Sequence, residues 1–318
     1  MRRLRAYAPA SIGNVAAGFD ILGAALAPLE PPAPADSSGG GLWGDVVELA
    51  EGPPGLRVEG PYAHRLPPEP EENLVLRAFG LFRAALGREV VLPAVTLHKR
   101  LPVKSGLGSS SASAVAALVA FNAWEGEPLG RAALLELAGR TEELAAGAPH
   151  LDNVAPSLLG GLRLVTDDGA PRALPFPDGL LFAVVHPDLE LATAAARAVL
   201  PRQVPLADAV CFAQNLAGFV HALDRGDLGL LRRCLRDPLA EPFRAGLVPG
   251  FREAQRAALA AGALGCSLSG AGPATFAVAE AELAAGVASG MQEAFAAAGA
   301  TSTARLCRLD LQGARILP

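Results

Sequence analysis

Apolar and polar positions alternate over residues 90–97, whereas residues 112–124 repeat their apolar positions at helical spacing, so a strand is followed here by a helix. The same reading gives strands over 4–8 and 18–27 around a turn at 10–14, and a hairpin from 45–51 and 56–59. Asn73 stands where an N-cap is needed for a helix over 74–86, and a further helix covers about 131–146. Gly160 and Gly161 precede a strand over 162–166, and Thr166-Asp167-Asp168-Gly169 reads as a turn. Beyond it, strands are predicted near 180–185, 266–268, 275–279 and 304–309, with helices at about 206–225, 250–261 and 282–298. Strands and helices mix in both halves, which predicts α+β domains built from sheet and helix layers.

A chain of 318 residues is long enough for two cores, and the boundary is placed at residue 165, giving domains over 1–165 and 166–318. Hydrophobic residues reach 51 % and mean hydropathy is +0.31, but much of that excess is alanine and glycine. No window is expected to supply the roughly 20 strongly apolar residues of a membrane span. The basic start, Met1 to Tyr7, runs into a polar turn without the apolar stretch of a signal peptide, so a cytoplasmic protein is expected. A net charge of -5 and a pI near 5.6 exclude a general nucleic-acid binder with a basic face. Cys211, Cys234, Cys266 and Cys307 are scattered, with no Cys-x-x-Cys pair, and read as reduced, mostly buried thiols. Residues 28–44, rich in Pro, Gly and Ser, read as an exposed excursion.

Chemistry concentrates in the loop between the strand and helix of the opening pattern. It reads Pro102-Val103-Lys104-Ser105-Gly106-Leu107-Gly108-Ser109-Ser110-Ser111 and feeds a helix N-terminus. Free N–H groups and the positive end of the helix dipole make such a terminus an anion site, and the two glycines let the backbone approach a phosphate. Two more segments share its small residues and hydroxyls, at 9–23 and 265–276, which points to one shared ligand. A Walker A loop is excluded because no Gly-Lys-Ser/Thr follows. A Ser109–His150–Asp152 hydrolase triad is excluded too, since there is no Gly-x-Ser-x-Gly elbow and His150 and Asp152 are too close in sequence.

In order and composition these segments resemble the GHMP kinase superfamily and, at finer grain, its homoserine kinase branch. The likeness rests on Pro9-Ala10-Ser11-Ile12-Gly13-Asn14-Val15 with Gly18-Phe19-Asp20, on Pro102 through Ser113, and on Ser269-Gly270-Ala271-Gly272-Pro273. Glu142, His150-Leu151-Asp152-Asn153-Val154-Ala155-Pro156-Ser157 and Gly160-Gly161 add a fourth stretch. The resemblance implies a ribosomal-protein-S5-domain-2-like N-terminal domain and a ferredoxin-like C-terminal domain. ATP and Mg²⁺ would bind at the phosphate loop, an amino-acid substrate would lie between the domains, and the enzyme would be a homodimer.

By the same resemblance, Asn73, Pro102, Ser105, Gly106, Leu107, Gly108, Ser109, Ser110 and Ser111 hold the nucleotide, and Ser110 and Glu142 hold the metal. Hard oxygen ligands suit Mg²⁺, although neighbouring Glu143 is open to the same role. Asn14, Asp20 and Asn153, with His150 nearby, are assigned to the hydroxyl and ammonium of L-homoserine, and Arg197 and Arg244 to its carboxylate. The planar fork of arginine suits that last task. No general base is evident, and Asn14 and Asn153 are the catalytic candidates for direct attack on the γ-phosphate. Lys99 and Lys104, the only lysines, flank the loop, and Lys104 reads as a surface residue.

Overall fold

The computed structural model describes residues 2–30, 42–147 and 149–318, with Ala145 and Ala146 described by backbone alone, so most of the predicted 28–44 excursion lies outside it. Its first half holds strands β1 (Arg3–Pro9), β2 (Ser11–Gly13), β3 (Leu22–Pro28), β4 (Gly44–Ala50), β5 (Gly55–Glu59), β6 (Ala94–His98) and β7 (Leu162–Leu164). Among them run helices α1 (Leu74–Leu86), α2 (Ser109–Trp124), α3 (Arg131–Ala146) and α4 (Leu151–Leu159). The second half adds β8 (Arg172–Leu174), β9 (Leu180–Pro187), β10 (Gly265–Leu268), β11 (Thr275–Glu280), β12 (Ser302–Leu309) and β13 (Arg315–Leu317). Its helices are α5 (Thr193–Ala198), α6 (Leu206–Arg225), α7 (Leu228–Cys234), α8 (Glu241–Arg244), α9 (Phe251–Ala260) and α10 (Ala281–Ala297).

One sheet runs β13-β1-β4-β6-β5, and a second runs β10-β11-β9-β12-β3-β7-β8 with β2 on β3. The second sheet takes strands from both sides of residue 165, and the last strand, β13, returns to pair antiparallel with β1 in the first. The expected hairpin of β4 and β5 does not form. β6 lies between them, antiparallel to β4 and parallel to β5, because β5 crosses over to become the edge strand. The predicted turn at 10–14 contains β2, and the strand after it starts at Leu22 rather than at residue 18.

Helix α2 is buried on nearly every side, against β1, β4, α1, α3 and α4. Its alanines make that possible, since small side chains let neighbouring backbones approach from all directions. In the second half, Phe251, Ala254 and Ala258 of α9 interlock with Val287, Met291 and Phe295 of α10 over β9, β10 and β11. Helix α6 meets the length and apolar composition of a membrane span, contrary to the sequence expectation, with mean hydropathy 1.3 over an 18-residue window. Only 22 % of that window is buried, its inner side resting through Phe219 and Leu223 on the core. Cys234, Cys266 and Cys307 are buried free thiols and Cys211 is partly buried, as expected.

Beneath the start of α2 lies an ion pair with no solvent access. Lys99 donates to Asp45, to Ser109 O at 2.8 Å and to Ser113 Oγ at 3.0 Å. Asp45 also accepts the N–H groups of Arg100 and Leu101 at 2.9 and 3.0 Å and the Ser113 hydroxyl at 2.6 Å. This set ties β4, the end of β6 and the first turn of α2 into one unit. Burial pulls the Lys99 pKa down, and Asp45 opposes that shift. Removing one half of a buried pair strands the other, so Lys99→Met is expected to lower stability by about 3–5 kcal/mol in urea denaturation. The double variant Lys99→Met/Asp45→Asn should recover part of that loss.

Candidate active site

The three glycine-containing segments meet in space through their backbones. Ser11 N–H donates to Leu107 O at 3.1 Å, Gly270 N–H to Gly13 O at 2.9 Å, and Ala274 N–H to Ser105 O at 2.9 Å. The Ser269 hydroxyl adds a bond to Gly106 O at 2.5 Å. Such contacts leave no space for side chains. A Cβ at Gly106 (φ 81°) would lie 2.4 Å from Ser269 O, and one at Gly108 (φ 62°) would lie 2.0 Å from Ser11 Oγ. Both glycines hold the left-handed backbone that turns the loop into α2. No side chain caps that helix, and Ser109, Ser110 and Ser111 of its first turn line the cleft.

The cleft beside this seam has a volume of about 470 Å³. Ser105, Gly106, Gly108, Ser109, Ser110 and Ser111 line it, as do Asn73 and Glu142. Pro102 and Leu107 do not. Leu107 is buried in the core, and its contribution is the carbonyl that accepts from Ser11. Asn73 caps α1 by accepting the Val75 N–H at 3.0 Å. Ser110 Oγ donates to Glu142 Oε2 at 3.1 Å, while Glu142 Oε1 is buried without a partner among the described residues. A hydroxyl and a carboxylate so placed fit a hard divalent cation that keeps its other positions for water and phosphate oxygens. His150 Nδ1 lies 3.8 Å from Glu142 Oε2, nearer the metal candidate than a pure substrate role implies.

The six predicted substrate residues line the same cleft. Asn14 (φ 56°), Asp20 (φ 56°) and His150 (φ 38°) take left-handed backbone, the conformational strain that clusters at functional sites. Asn14 Nδ2 donates to Gly270 O at 2.8 Å, and its Oδ1 accepts the Asp20 N–H at 2.8 Å. Asn153 Oδ1 accepts from Ser11 Oγ at 3.1 Å and stands beside Gly108. Arg197 Nη2 donates to both carboxylate oxygens of Asp20, at 2.8 and 2.9 Å. Arg244 is buried and donates to Ala196 O and Gly270 O, at 3.1 Å each. Both guanidiniums lie over the Phe19 ring, at 5.7 and 5.1 Å from its centre. Lys104 is half-exposed, 3.7 Å from Glu190.

Among the described residues no cluster of three or more His, Cys, Asp or Glu side chains stands ready for a metal, so the metal candidate rests on Ser110 and Glu142. Two family models match parts of the chain. The GHMP kinase N-terminal domain model matches residues 73–161, and the GHMP kinase C-terminal model matches 219–297. A homoserine kinase structure from Cytophaga hutchinsonii ATCC 33406 is 36 % identical, with a TM-score of 0.89 over 100 % of this chain and 98 % of that one. The chain belongs to the GHMP kinase family. As a GHMP kinase it is an ATP-dependent small-molecule kinase with the two-domain α+β fold of that family. More distant chains share the fold. One from Listeria monocytogenes, itself only provisionally described as a homoserine kinase, is 23 % identical with a TM-score of 0.70 and 99 % coverage of both chains. An L. major mevalonate kinase in complex with R-mevalonate is 17 % identical, with a TM-score of 0.69 over 98 % of this chain and 97 % of that one.

Three residues of this GHMP kinase were given no role by the sequence reading: Lys99, Asp45 and Asp152. Asp152 is 2 % exposed on the first turn of α4. Helix α4 was itself missed, because Pro156 inside it reads as a breaker. Burial first, and Asp20 second, raise the Asp152 pKa from 3.8 to about 6.

Three substitutions test these observations. Gly106→Ala should raise the KM for ATP at least about tenfold in steady-state assays, because the loop must shift away from Ser269. Gly80→Ala, at an open position in α1, should instead stabilise by about 0.5–1 kcal/mol and leave that KM unchanged. A carboxyl whose folded pKa is raised loses stability for the protein as pH climbs from about 4 to about 6. Asp152→Asn is therefore expected to raise the unfolding temperature at pH 8, with the gain shrinking to nothing near pH 4.

Proposed function

We propose that this GHMP kinase transfers the γ-phosphoryl group of ATP to the side-chain hydroxyl of L-homoserine, forming O-phospho-L-homoserine and ADP for the route to threonine. The observation that carries the reading is the charge set that lines the cleft. Arg197 and Arg244 converge over Phe19 beside Asp20, a combination matched to a zwitterion, whereas a sugar offers the arginines no carboxylate and a hydroxy acid offers the acidic groups no ammonium. The 36 % identity over the whole chain to a homoserine kinase supports the same acceptor.

In this reading the uncapped N-terminus of α2 and the Gly106–Gly108 backbone cradle the phosphates. Leu66, Pro67 and Leu74 give the cleft an apolar wall for the base. Ser110 and Glu142 would hold Mg²⁺, which would supply charge neutralisation for the phosphates. Asn153 sits between the loop and the amino-acid end and orients the acceptor hydroxyl for in-line attack. The new bond joins that oxygen to the γ-phosphorus, the bond to the bridging oxygen of ADP breaks, and the hydroxyl proton passes to the phosphoryl oxygens. A loose transition state asks for little activation of the nucleophile, so positioning and electrostatics carry the catalysis.

ADP release is the direct test, with Mg-ATP and homoserine, mevalonate, galactose and shikimate offered in turn. Turnover of homoserine is expected. Turnover of another acceptor without homoserine would reassign the substrate, and ATP binding with no turnover at all would indicate a sensor. Asn153→Ala should lower kcat about 100-fold through misplacement of the hydroxyl. Asn153→Asp should not exceed the wild-type rate, and a clear gain would contradict base-free transfer.

A further inference from the structure

Three residues of the phosphate loop take left-handed backbone, and two of them are glycines. The third is Lys104 (φ 54°), in a conformation that strains a residue with a side chain and that glycine adopts freely. Its carbonyl accepts the Leu191 N–H at 3.1 Å. That bond joins the loop to segment 191–194, which lines the cleft and leads into α5, the helix of Arg197. Lys104 lines the cleft as well. The other cations of the cleft wall are committed to hydrogen bonds: Lys99 to Asp45 and its neighbours, Arg77 and Arg244 to carbonyls, and Arg197 to Asp20. Lys104 Nζ instead stands 3.7 Å from Glu190 Oε2, past hydrogen-bond reach, and Glu190 already accepts from Arg65 through Oε1. Both side chains are more than a third exposed, so parting them costs little.

We propose that Lys104 leaves Glu190 when ATP binds and sets its ammonium against the oxygens of the terminal phosphoryl group, whose charge it stabilises during transfer. The proposal rests on the reading that the phosphates meet this loop and that the acceptor lies on the Arg197 side, whichever acceptor that is. With its carbonyl held by Leu191, Lys104 stays at the seam between the loop and the segment that leads to Arg197. The transferred group must cross that seam. Charge on its oxygens is redistributed as the bond to ADP loosens, and a cation already in place there favours the transition state over the ground state. Lysine suits the task because its ammonium is a compact charge with three donors on a flexible stem. It keeps its proton throughout and forms no covalent bond. The left-handed backbone then has a physical reason, since glycine would relieve the strain and remove the charge together.

The test compares wild type, Lys104→Met, Lys104→Arg, Lys104→Gly and Glu190→Gln in calorimetric titrations, alongside thermal unfolding. The ligands are AMP-PNP, a non-hydrolysable ATP analogue, and ADP, each with Mg²⁺. Lys104→Met is expected to weaken AMP-PNP binding about 10- to 100-fold. It should leave ADP binding unchanged, because ADP lacks the terminal phosphoryl group. Lys104→Arg should recover part of the loss by keeping the charge. Lys104→Gly should lose AMP-PNP affinity as Lys104→Met does, yet unfold at no lower temperature than wild type. Glu190→Gln should bind AMP-PNP at least as tightly as wild type. With homoserine as acceptor, Lys104→Met should lower kcat about 100-fold. Unchanged AMP-PNP affinity or unchanged kcat in Lys104→Met would overturn the proposal. So would equal losses for AMP-PNP and ADP, or a loss in Glu190→Gln as large as that in Lys104→Met, which would give the role to the ion pair. The titrations need no acceptor, so failure of wild type to turn over homoserine would remove the acceptor reading and leave this one to be decided by binding.

Discussion

Everything in the cleft depends on backbone meeting backbone where no side chain fits. Ser269 and Gly106 are 163 residues apart, yet the hydroxyl of one bonds the carbonyl of the other. Gly13 and Gly270 are joined directly, as are Ser105 and Ala274. Gly23 extends the same constraint, since a Cβ there would lie 1.5 Å from Asp152 O. Three distant segments are thereby fixed relative to one another before any ligand arrives. A loop already held in its binding shape gives up little conformational freedom on meeting phosphate, so more of the contact energy appears as affinity and as transition-state stabilisation.

The seam is supported from below by the Lys99–Asp45 pair. Lysine and aspartate are rarely placed in a dry interior unless each is fully bonded, and here they are: Lys99 reaches three acceptors, and Asp45 takes four donors. Because one acceptor is Ser109 O, the pair fixes the first turn of α2, whose Ser109, Ser110 and Ser111 line the cleft. Elsewhere in the cleft the charges are partly satisfied by the protein itself, with Arg197 on Asp20 and Arg244 on carbonyls, while Arg197 Nε and Asp152 Oδ1 stay without a partner among the described residues. A zwitterion can take over such partners one for one, whereas a singly charged ligand would leave one of the protein's own charges unmatched.

Local signals were readable where physics is local. Asn73 announced the start of α1 because its capping bond spans two residues, and α3 and α6 followed from helical spacing alone. The phosphate loop was legible for the same reason: glycines, hydroxyls and a following helix are all neighbours in the chain. The pairing of β4 and β5 was misread because adjacency in sequence says nothing about a third strand, β6, arriving between them. Asp152 was passed over although its neighbours His150 and Asn153 were not. Nothing in its residue type shows that one oxygen will be bonded and the other buried without a partner.

The sequence by itself determined a glycine-rich anion cradle on a helix N-terminus, which follows from residue types at short spacing. The hydroxyl and carboxylate for a hard cation, and the arginines for a carboxylate, came only with the resemblance to the GHMP kinases, because those residues stand far apart in the chain. Only the tertiary structure decided which charges are paired in the empty cleft, which are buried, and which stand open to a ligand. Burial and partnership arise from segments more than a hundred residues apart. Those same two conditions make Asp152 differ from Asp20, although as residues the two are identical.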